Sequence, residues 1–336
     1  MCNNKKGIET GDHYLPDLGP RDKFKGWTEL HQAANGRFNA GQDGVRLILS
    51  PPDKKSEFIV YKNHTLVYVH SAFGQPAIYP LPTARFIKPA SAVLMDLDGT
   101  SVHSETFWIW IIERVTKQLT GKRNFRLEEE DEPFVSGHSV SEHLQYCINK
   151  YCPGASIDEA RKLYYVITDH EMNEILKGQG RRDAFMPTPG LKKFLLELKN
   201  AKIKIGLVTS GLYQKAWPEI VSAFKVMNLG NPAEFYDAII TAGNRIVKGS
   251  PGTLGELCPK PHPWLYAEAA KVGLGLERED TTHVIGIEDS AAGVLSIRLS
   301  GYQALGISGG NLMKSGISSL LLNIYPDLNS ILEEII

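Results

Sequence analysis

Apolar runs and polar breaks divide the chain into regions of different periodicity. In the first 88 residues, β-branched and aromatic residues cluster at 45–49, 58–62 and 65–70, with polar breaks between these runs. This pattern predicts strands joined by turns. The proline-containing stretch at 80–83 is typical of a linker. No residue pattern here indicates chemistry, so we interpret residues 1–88 as a β-rich accessory segment used for packing or assembly.

The pattern changes beyond residue 91. Residues 92–95 form a continuous apolar run, typical of a strand buried on both faces of a parallel sheet. Residues 105–178 carry apolar positions at intervals of three and four, which predicts mostly helix, and the acidic run 128–132 is interpreted as a solvated loop or helix start. The remainder alternates predicted helices at 191–198, 216–224, 264–272 and 291–300 with predicted strands at 203–208, 238–240, 284–287 and 303–306.

Alternating strands and helices predict an α/β fold, with a doubly wound parallel sheet of the Rossmann-like type. We therefore expect an α/β core formed by residues 89–105 and 180–336, with a helical insertion at 106–179 and the β-rich extension in front of it. In such sheets, ligands bind beyond the carboxyl ends of the strands. The loops that follow the predicted strands are therefore where functional residues are expected.

Composition and charge exclude several classes of protein. Of 336 residues, 42% are hydrophobic and 22% are charged, which is typical of a globular chain. The formal charge of −1 provides no overall field to attract nucleic acid or an anionic membrane. No run approaches the ~20 apolar residues of a membrane span, and the start lacks the apolar segment of a secretory signal. The four cysteines are too scattered for a disulfide framework or a Cys-rich zinc site. We expect a cytoplasmic enzyme without a nucleic-acid or membrane partner; the sequence sets no oligomeric state.

Polar residues that could carry chemistry follow four of the predicted strands. Asp96 and Asp98 come directly after the first strand, on a turn opened by Gly99, so both carboxylates could face one site. Thr209 and Ser210 follow a second strand and place hydroxyl groups where backbone amides could also face an anion. An acidic turn or a helix cap is the ordinary structural alternative at each of these positions.

The other two strand ends add a lysine and a second acidic pair. Lys260 lies directly before a predicted helix, and Pro261 keeps it outside that helix. An ammonium group beside a helix start is a natural place for phosphate oxygens, although most lysines are surface residues. Glu288 and Asp289 lie between an apolar strand and a helix, which Asp289 could equally cap. Mg²⁺ prefers oxygen ligands, and Asp96 together with Asp289 could supply them.

In this order, these residues resemble the four motifs of the haloacid dehalogenase-like hydrolase superfamily. The motifs are matched by Asp96-Leu-Asp-Gly-Thr100, Thr209, Lys260 and Glu288-Asp289. The resemblance begins near residue 91 and does not include the N-terminal segment. The helical insertion resembles the α-helical cap of the subclass that contains phosphoglycolate phosphatases and β-phosphoglucomutases.

The resemblance implies Mg²⁺-dependent phosphoryl transfer from a small phosphorylated metabolite. Asp96 would attack phosphorus to form an aspartyl-phosphate, and Asp98 would act as general acid and then as general base. Thr209, Ser210 and Lys260 would bind the phosphate oxygens.

The same resemblance implies a ligand set for the metal ion. Mg²⁺ would be held by Asp96, by the backbone carbonyl of Asp98 and by Asp289, with Glu288 acting nearby or through water. The positive charge of the ion and of Lys260 would let a carboxylate approach a phosphate.

Two alternatives to a phosphatase remain open. The segment Gly137-His138-Ser139-Val140-Ser141-Glu142 resembles a cap segment of sugar phosphomutases, but Val140 stands where those enzymes have an arginine, and Trp108 stands where they have a histidine. His138 could contact substrate or be an ordinary loop histidine. The second alternative is a non-catalytic scaffold whose N-terminal segment is a binding module. The second aspartate, Asp98, argues against dehalogenation, because dehalogenases of this superfamily lack it.

Overall fold

A computed structural model describes residues 13–70, 76–131, 135, 140–181, 183–244 and 259–336. The strands are β1 (Tyr14–Leu15), β2 (Gly19–Pro20), β3 (Thr28–Leu30), β4 (Leu47–Ser50), β5 (Ser56–Val60), β6 (Thr65–Val69), β7 (Ala77–Pro80), β8 (Ala92–Asp96), β9 (Val102–His103), β10 (Met186–Pro187), β11 (Lys204–Val208), β12 (Ala238–Ile240), β13 (Val284–Glu288), β14 (Gln303–Ile307) and β15 (Ile324–Tyr325). The α-helices are α1 (Glu105–Thr120), α2 (Val140–Tyr151), α3 (Ile157–Leu176), α4 (Leu191–Asn200), α5 (Tyr213–Met227), α6 (Pro232–Phe235), α7 (Trp264–Glu268), α8 (Ala291–Leu299), α9 (Leu312–Ser315) and α10 (Leu328–Ile335). Short 3₁₀ segments lie at Arg21–Phe24, Glu129–Asp131, Arg278–His283 and Ile317–Leu320, and a π-helical turn at Ala269–Gly273 extends α7.

The largest sheet within the described residues has six parallel strands in the order β12-β11-β8-β13-β14-β15. Every residue of β8 and of β13 is buried, which explains why both appear in the sequence as uninterrupted apolar runs. The order jumps from β8 to β11 on one side and to β13 on the other, so the strand order reverses at β8. The predicted α/β class with a doubly wound parallel sheet is confirmed.

The two faces of this sheet are covered by different helices. Val93 and Met95 of β8 belong to the same hydrophobic cluster as the buried residues of α4, α5 and α10. Leu94, between them, packs instead with residues of α7 and α8. Successive side chains of a strand point to opposite faces, so one strand contributes to both layers.

The helices α1 to α3 form an insertion whose two ends meet. The chain enters it through β9 and leaves it through β10, which pair antiparallel with Val102 opposite Pro187. In α1, Phe107, Ile111 and Val115 are buried and four residues apart, which gives the helix one apolar face. None of the helices described here is long and apolar enough to cross a membrane.

The N-terminal sheet is antiparallel, in the order β3-β4-β5-β6-β7. Its side chains alternate between two clusters: Leu49 and Phe58 pack against the core with residues of α8, whereas Ile48 and Ile59 form a small separate cluster on the other face. The predicted strands correspond to β4, β5 and β6, and the sheet adds β3 and β7. The stretch predicted as a linker begins with Pro80, the last residue of β7; β7 is an edge strand, where proline is tolerated.

Candidate active site

The polar residues at the strand ends meet because β11, β8 and β13 are neighbours in the sheet. Asp96 at the end of β8 lies opposite Val208, so Thr209 begins the adjoining loop, and Glu288 ends the strand on the other side. Carboxylate oxygens of Asp96, Glu288 and Asp289 lie within 4.8 Å of one another. The parallel register therefore gathers residues that are almost 200 positions apart in the chain.

Lys260 reaches this group from the loop that precedes α7. Its ammonium donates hydrogen bonds to a carboxylate oxygen of Asp96, to Glu288 Oε1 at 2.7 Å and to the carbonyl oxygen of Val208 at 3.3 Å. The backbone amide of Lys260 donates to Ser210 Oγ at 3.0 Å. The lysine side chain is 6% exposed, so its charge is directed inward. We call Asp96, Lys260, Glu288 and Asp289 the Lys260 cluster.

Glu288 is fully buried, and both of its oxygens are engaged. Oε1 accepts from Lys260 and from Tyr266 Oη at 2.8 Å, and Oε2 accepts from the amide and hydroxyl of Ser290 at 3.2 and 2.9 Å. A side chain at Gly293 would place its Cβ 1.7 Å from Glu288 Oε1, so only glycine allows α8 to approach this carboxylate so closely. The contacts of Glu288 orient Lys260.

The Lys260 cluster holds three carboxylates and one ammonium group. Burial and the neighbouring Glu288 carboxylate raise the pKa of Asp96 to about 8, and the attraction of Lys260 offsets this only in part. Burial, Asp96 and Glu288 likewise raise the pKa of Asp289 well above its ordinary value, although Asp289 keeps part of its surface open to solvent. The single positive charge of Lys260 therefore does not balance the three carboxylates of the cluster.

A hard divalent cation fits the Lys260 cluster because it would supply the positive charge that the carboxylates lack. Asp96 and Asp289 offer carboxylate oxygens to one point, which is the type of ligand that Mg²⁺ prefers. Gly99 brings the two loops together: its φ is +86°, and a Cβ there would lie 2.1 Å from Asp289 Oδ2. Any larger residue at this position would displace Asp289.

Asp98 has a different set of partners from Asp96. It accepts hydrogen bonds from Ser104 Oγ at 2.6 Å, from Thr209 Oγ1 at 3.3 Å and from Lys215 Nζ at 3.3 Å. Burial raises the pKa of Asp98, but the Lys215 ammonium and the Ser104 hydroxyl outweigh it, so the pKa lies below its ordinary value. About a third of the side chain is exposed, at 34%. The two aspartates of one turn thus occupy opposite electrostatic environments.

Lys215 and its surroundings were not predicted from the sequence. Lys215 Nζ lies 3.8 Å from Glu219 Oε1 and 4.5 Å from the centre of the Trp108 ring. Trp108 Nε1 donates to the same Glu219 oxygen at 3.0 Å, linking α1 to α5. The only local signal was a lysine at the start of the helix that follows Thr209; the contact with Asp98 depends on tertiary structure.

The structure brings most of the predicted site residues together. Asp96, Asp98, Thr209, Ser210, Lys260, Glu288 and Asp289 all belong to this one constellation. Thr209 is buried; its hydroxyl accepts from the amide of Gly211 at 2.9 Å and faces Asp98. His138 lies outside the described residues.

Comparison with known proteins gives a family match over most of this region. The sequence profile of haloacid dehalogenase-like hydrolases matches residues 90–301, nearly two thirds of the chain. A search of curated proteins by sequence found no match. The predicted superfamily and the predicted hydrolase class are confirmed by the profile match. The N-terminal sheet lies outside the matched residues.

Solved structures share the fold at low sequence identity. A phosphate complex of CbbY from Rhodobacter sphaeroides is 18% identical and has a TM-score of 0.53, covering 72% of this chain and 96% of its own. A predicted phosphoglycolate phosphatase from Haemophilus somnus is 17% identical with a TM-score of 0.54, covering 73% and 97%. A family IA, variant 3 hydrolase from Entamoeba histolytica is 20% identical with a TM-score of 0.53, covering 73% and 96%.

Proposed function

The chain belongs to the haloacid dehalogenase-like hydrolase family, and from this premise we propose that it is a Mg²⁺-dependent phosphatase of a small phosphorylated metabolite. The observation that carries the proposal is the meeting of these groups at one edge of the sheet. Carboxylate oxygens of Asp96, Glu288 and Asp289 lie within 4.8 Å of one another, and Lys260 donates to Asp96. Asp98, in the same turn as Asp96, accepts from Thr209, so a nucleophile and an acid–base group can act on the same phosphorus. Two structural neighbours, the phosphate complex of CbbY and the predicted phosphoglycolate phosphatase, agree with it.

Asp96 acts as the nucleophile. One of its carboxylate oxygens forms a bond to phosphorus while the bond from phosphorus to the leaving oxygen breaks, which produces an aspartyl-phosphate. Lys260 holds the carboxylate in place, and Ser101 Oγ donates to the Asp96 carbonyl at 2.5 Å, which fixes the end of the strand. The nucleophile is therefore positioned by contacts on both its side chain and its backbone.

Asp98 transfers the protons. It donates a proton to the leaving oxygen and later accepts one from the water that hydrolyses the aspartyl-phosphate, so that Asp96 and inorganic phosphate are released. In the free enzyme, Lys215 and Ser104 favour its ionised form. A phosphate ester that enters beside Asp98 opposes this negative charge, so substrate binding favours the protonated form.

Thr209, Ser210 and Lys260 line the phosphate position. The Thr209 hydroxyl and the Lys260 ammonium approach the Asp96–Asp98 turn from the neighbouring strand end and from the loop before α7. Both can donate to phosphoryl oxygens, where negative charge is spread in the transition state. The Ser210 hydroxyl accepts from the Lys260 amide and so holds the lysine loop as well.

Mg²⁺ is the cation that the donor set favours. Asp96 and Asp289 would hold it, with the backbone carbonyl of Asp98, while the engaged oxygens of Glu288 give that residue an indirect role. When bound, the ion offsets the repulsion between a carboxylate and an incoming phosphate.

The proposal also includes the domain organisation and the reaction type that the sequence predicts. Residues 106–179 act as a cap over a core of residues 89–105 and 180–336, and hydrolysis is favoured over mutase chemistry. The indole of Trp108 is hydrogen-bonded to Glu219, so the position where mutases have a histidine serves packing here.

The test is release of inorganic phosphate from a generic aryl phosphate and from a panel of phosphorylated metabolites. We expect turnover that requires Mg²⁺, is abolished by chelation and falls by about 1,000-fold or more in Asp96→Asn. The matched control is Asp131→Asn, in the helical insertion, which should remain active. Full activity of Asp96→Asn would refute the proposal, and conversion of a hexose phosphate without phosphate release would favour the mutase instead.

A further inference from the structure

The N-terminal sheet lies outside the family match and contacts the loop that carries Lys260. Tyr79, in the edge strand β7, shares a hydrogen bond with His262, with 2.9 Å between Tyr79 Oη and His262 Nδ1. His262 is 4% exposed and lies two residues after Lys260. The tyrosine ring also meets Trp264 edge-on, with 6.1 Å between ring centres. The sheet therefore touches both His262 and the first residue of α7.

The same loop is fixed from its other sides. The amide of His262 donates to the carbonyl of Pro259 at 3.0 Å, and Ser296 Oγ, in α8, donates to the carbonyl of His262 at 2.6 Å. The amide of Lys260 donates to Ser210 Oγ at 3.0 Å. The Lys260 amide and the His262 carbonyl are thus held by the core, and the His262 side chain is held by Tyr79 of the sheet.

We propose that the N-terminal sheet is a positioning element of the active site, in which Tyr79 holds His262 and thereby sets the position of Lys260. This inference rests on the proposed function of Lys260 in phosphoryl transfer. Lys260 must keep contact with Asp96 and Glu288 at once, with 2.7 Å to the latter. A displacement of its loop by a fraction of an ångström breaks that double contact, and errors of this size in positioning lower turnover strongly. Tyr79 and His262 are positioning residues and do not touch the phosphate.

Tyr79→Phe and Trp27→Phe form a matched pair of variants. Each removes a hydrogen bond between the N-terminal segment and the core; Trp27, directly before β3, donates through Nε1 to the carbonyl of Gly316 at 2.9 Å, and Gly316 follows α9 rather than belonging to the lysine loop. We expect Tyr79→Phe to lower kcat about 10-fold with little change in KM, because the loss concerns the transition state. Trp27→Phe should lower the thermal midpoint at least as much and leave kcat within about 2-fold of the wild type. Equal kcat values for the two variants would overturn the proposal.

Substitution of the histidine provides a rescue experiment. In His262→Asn, a side-chain polar atom can lie near the position of Nδ1 and preserve the bond to Tyr79, whereas His262→Leu keeps the apolar contacts and loses the bond. We expect kcat of the Asn variant to exceed that of the Leu variant, and we expect Tyr79→Phe to abolish the difference. A difference that persists in the Tyr79→Phe background would contradict the proposal.

Amide hydrogen exchange separates this inference from the proposed function. The amides of Lys260 and His262 are both hydrogen-bonded within or beside the loop. We expect Tyr79→Phe to accelerate their exchange relative to wild type and to Trp27→Phe. A wild-type protein without phosphatase activity would refute the proposed function, whereas unchanged exchange at these amides would refute the positioning role of the sheet.

Discussion

The helical insertion and the active site each gather three carboxylates around one lysine, and in both the carboxylate oxygens lie within 4.8 Å of one another. In the insertion, Lys150 Nζ is 2.8 Å from Glu128 Oε2 and 2.7 Å from both Glu130 Oε1 and Asp131 Oδ1. Burial raises the pKa of Asp131, but hydrogen bonds from Lys150 and Tyr146 outweigh it and lower the pKa to about 2. We call Glu128, Glu130, Asp131 and Lys150 the Lys150 cluster.

The Lys260 cluster also gathers its carboxylate oxygens within 4.8 Å of one another but has the opposite electrostatics. Glu128 and Glu130 are 60% and 73% exposed, so water stabilises their charges, whereas Asp96 is 7% exposed and its pKa is raised to about 8. Desolvation favours the neutral form of a carboxyl group unless nearby positive charge compensates. The comparison teaches that proximity of carboxylates does not by itself indicate a metal site. The indicative feature is a buried cluster whose negative charge exceeds its positive charge.

Exchanging each central lysine for methionine gives the largest expected contrast between the clusters. Lys260→Met should lower kcat/KM by about 100-fold or more, because it removes a donor to the phosphoryl oxygens and the partner of the nucleophile. Lys150→Met should change kcat/KM by less than about 3-fold and act mainly on stability. Phosphate release by both purified variants is the measurement.

A second variant separates a loss of activity from a loss of folding, and one outcome would contradict the assignment. Lys260→Arg keeps the charge but changes its shape, and it should retain the wild-type circular dichroism spectrum while losing much of the activity. Greater loss of activity in Lys150→Met than in Lys260→Met would reverse the assignment of the two clusters.

Stabilisation by Mg²⁺ should also distinguish the clusters. A ligand that binds only the folded state at 100 times its Kd raises the free energy of unfolding by about 2.7 kcal/mol. We expect Mg²⁺ to raise the thermal midpoint of the wild type and of Asp131→Asn, but much less that of Asp289→Asn, which lacks a ligand in the Lys260 cluster. Thermal denaturation with Mg²⁺ and with a chelator tests this. An equal response of Asp289→Asn and the wild type would place the ion elsewhere.

The sequence predicts that the carboxylates of the Lys260 cluster meet, because the carboxyl ends of parallel strands lie at one edge of a sheet. Once 92–95, 203–208 and 284–287 are predicted as strands of one sheet, their carboxyl ends must lie on one edge, and Asp96, Thr209 and Glu288 follow them. No knowledge of side-chain packing is needed for this step. The same pattern cannot show that both oxygens of Glu288 are engaged, since that depends on its contacts with Lys260, in the loop before α7, and with Ser290.

The sequence predicts neither the contact between Asp98 and Lys215 nor the edge strands β3 and β7, and the reasons differ. Lys215 contacts Asp98 across 117 positions, and a lysine at a helix start carries no sign of its partner. The strand β3 is three residues long and β7 ends in Pro80, so neither forms a β-rich run that could be recognised. The pattern predicts a solvated loop or helix start for the acidic run at 128–132, and residues 129–131 do form a 3₁₀ turn in which Glu130 is exposed. It does not predict that Asp131 is buried beside Tyr146 and Lys150.

Asp131 provides the smallest expected effect, and it tests the Lys150 cluster alone. The Asp131 side chain has no exposed surface. It accepts hydrogen bonds from Tyr146 Oη at 2.6 Å, from Lys150 Nζ at 2.7 Å and from the amide of Glu128 at 2.8 Å. Its folded-state pKa of about 2 lies below the unfolded value, so its ionisation stabilises the protein above about pH 4. That contribution, about 2 kcal/mol, is lost as the pH falls from about 4 toward 2.

Urea denaturation of the wild type and Asp131→Asn between pH 7 and pH 3 measures this contribution. The difference in free energy of unfolding should fall by about half at pH 3, because the wild type then begins to lose the ionised carboxylate that the variant never has. Glu130→Gln is the control: its carboxylate is 73% exposed and water replaces the contact with Lys150, so its effect should be much smaller. A difference for Asp131→Asn that does not change with pH would show that the hydrogen bonds, rather than the charge, hold the Lys150 cluster together.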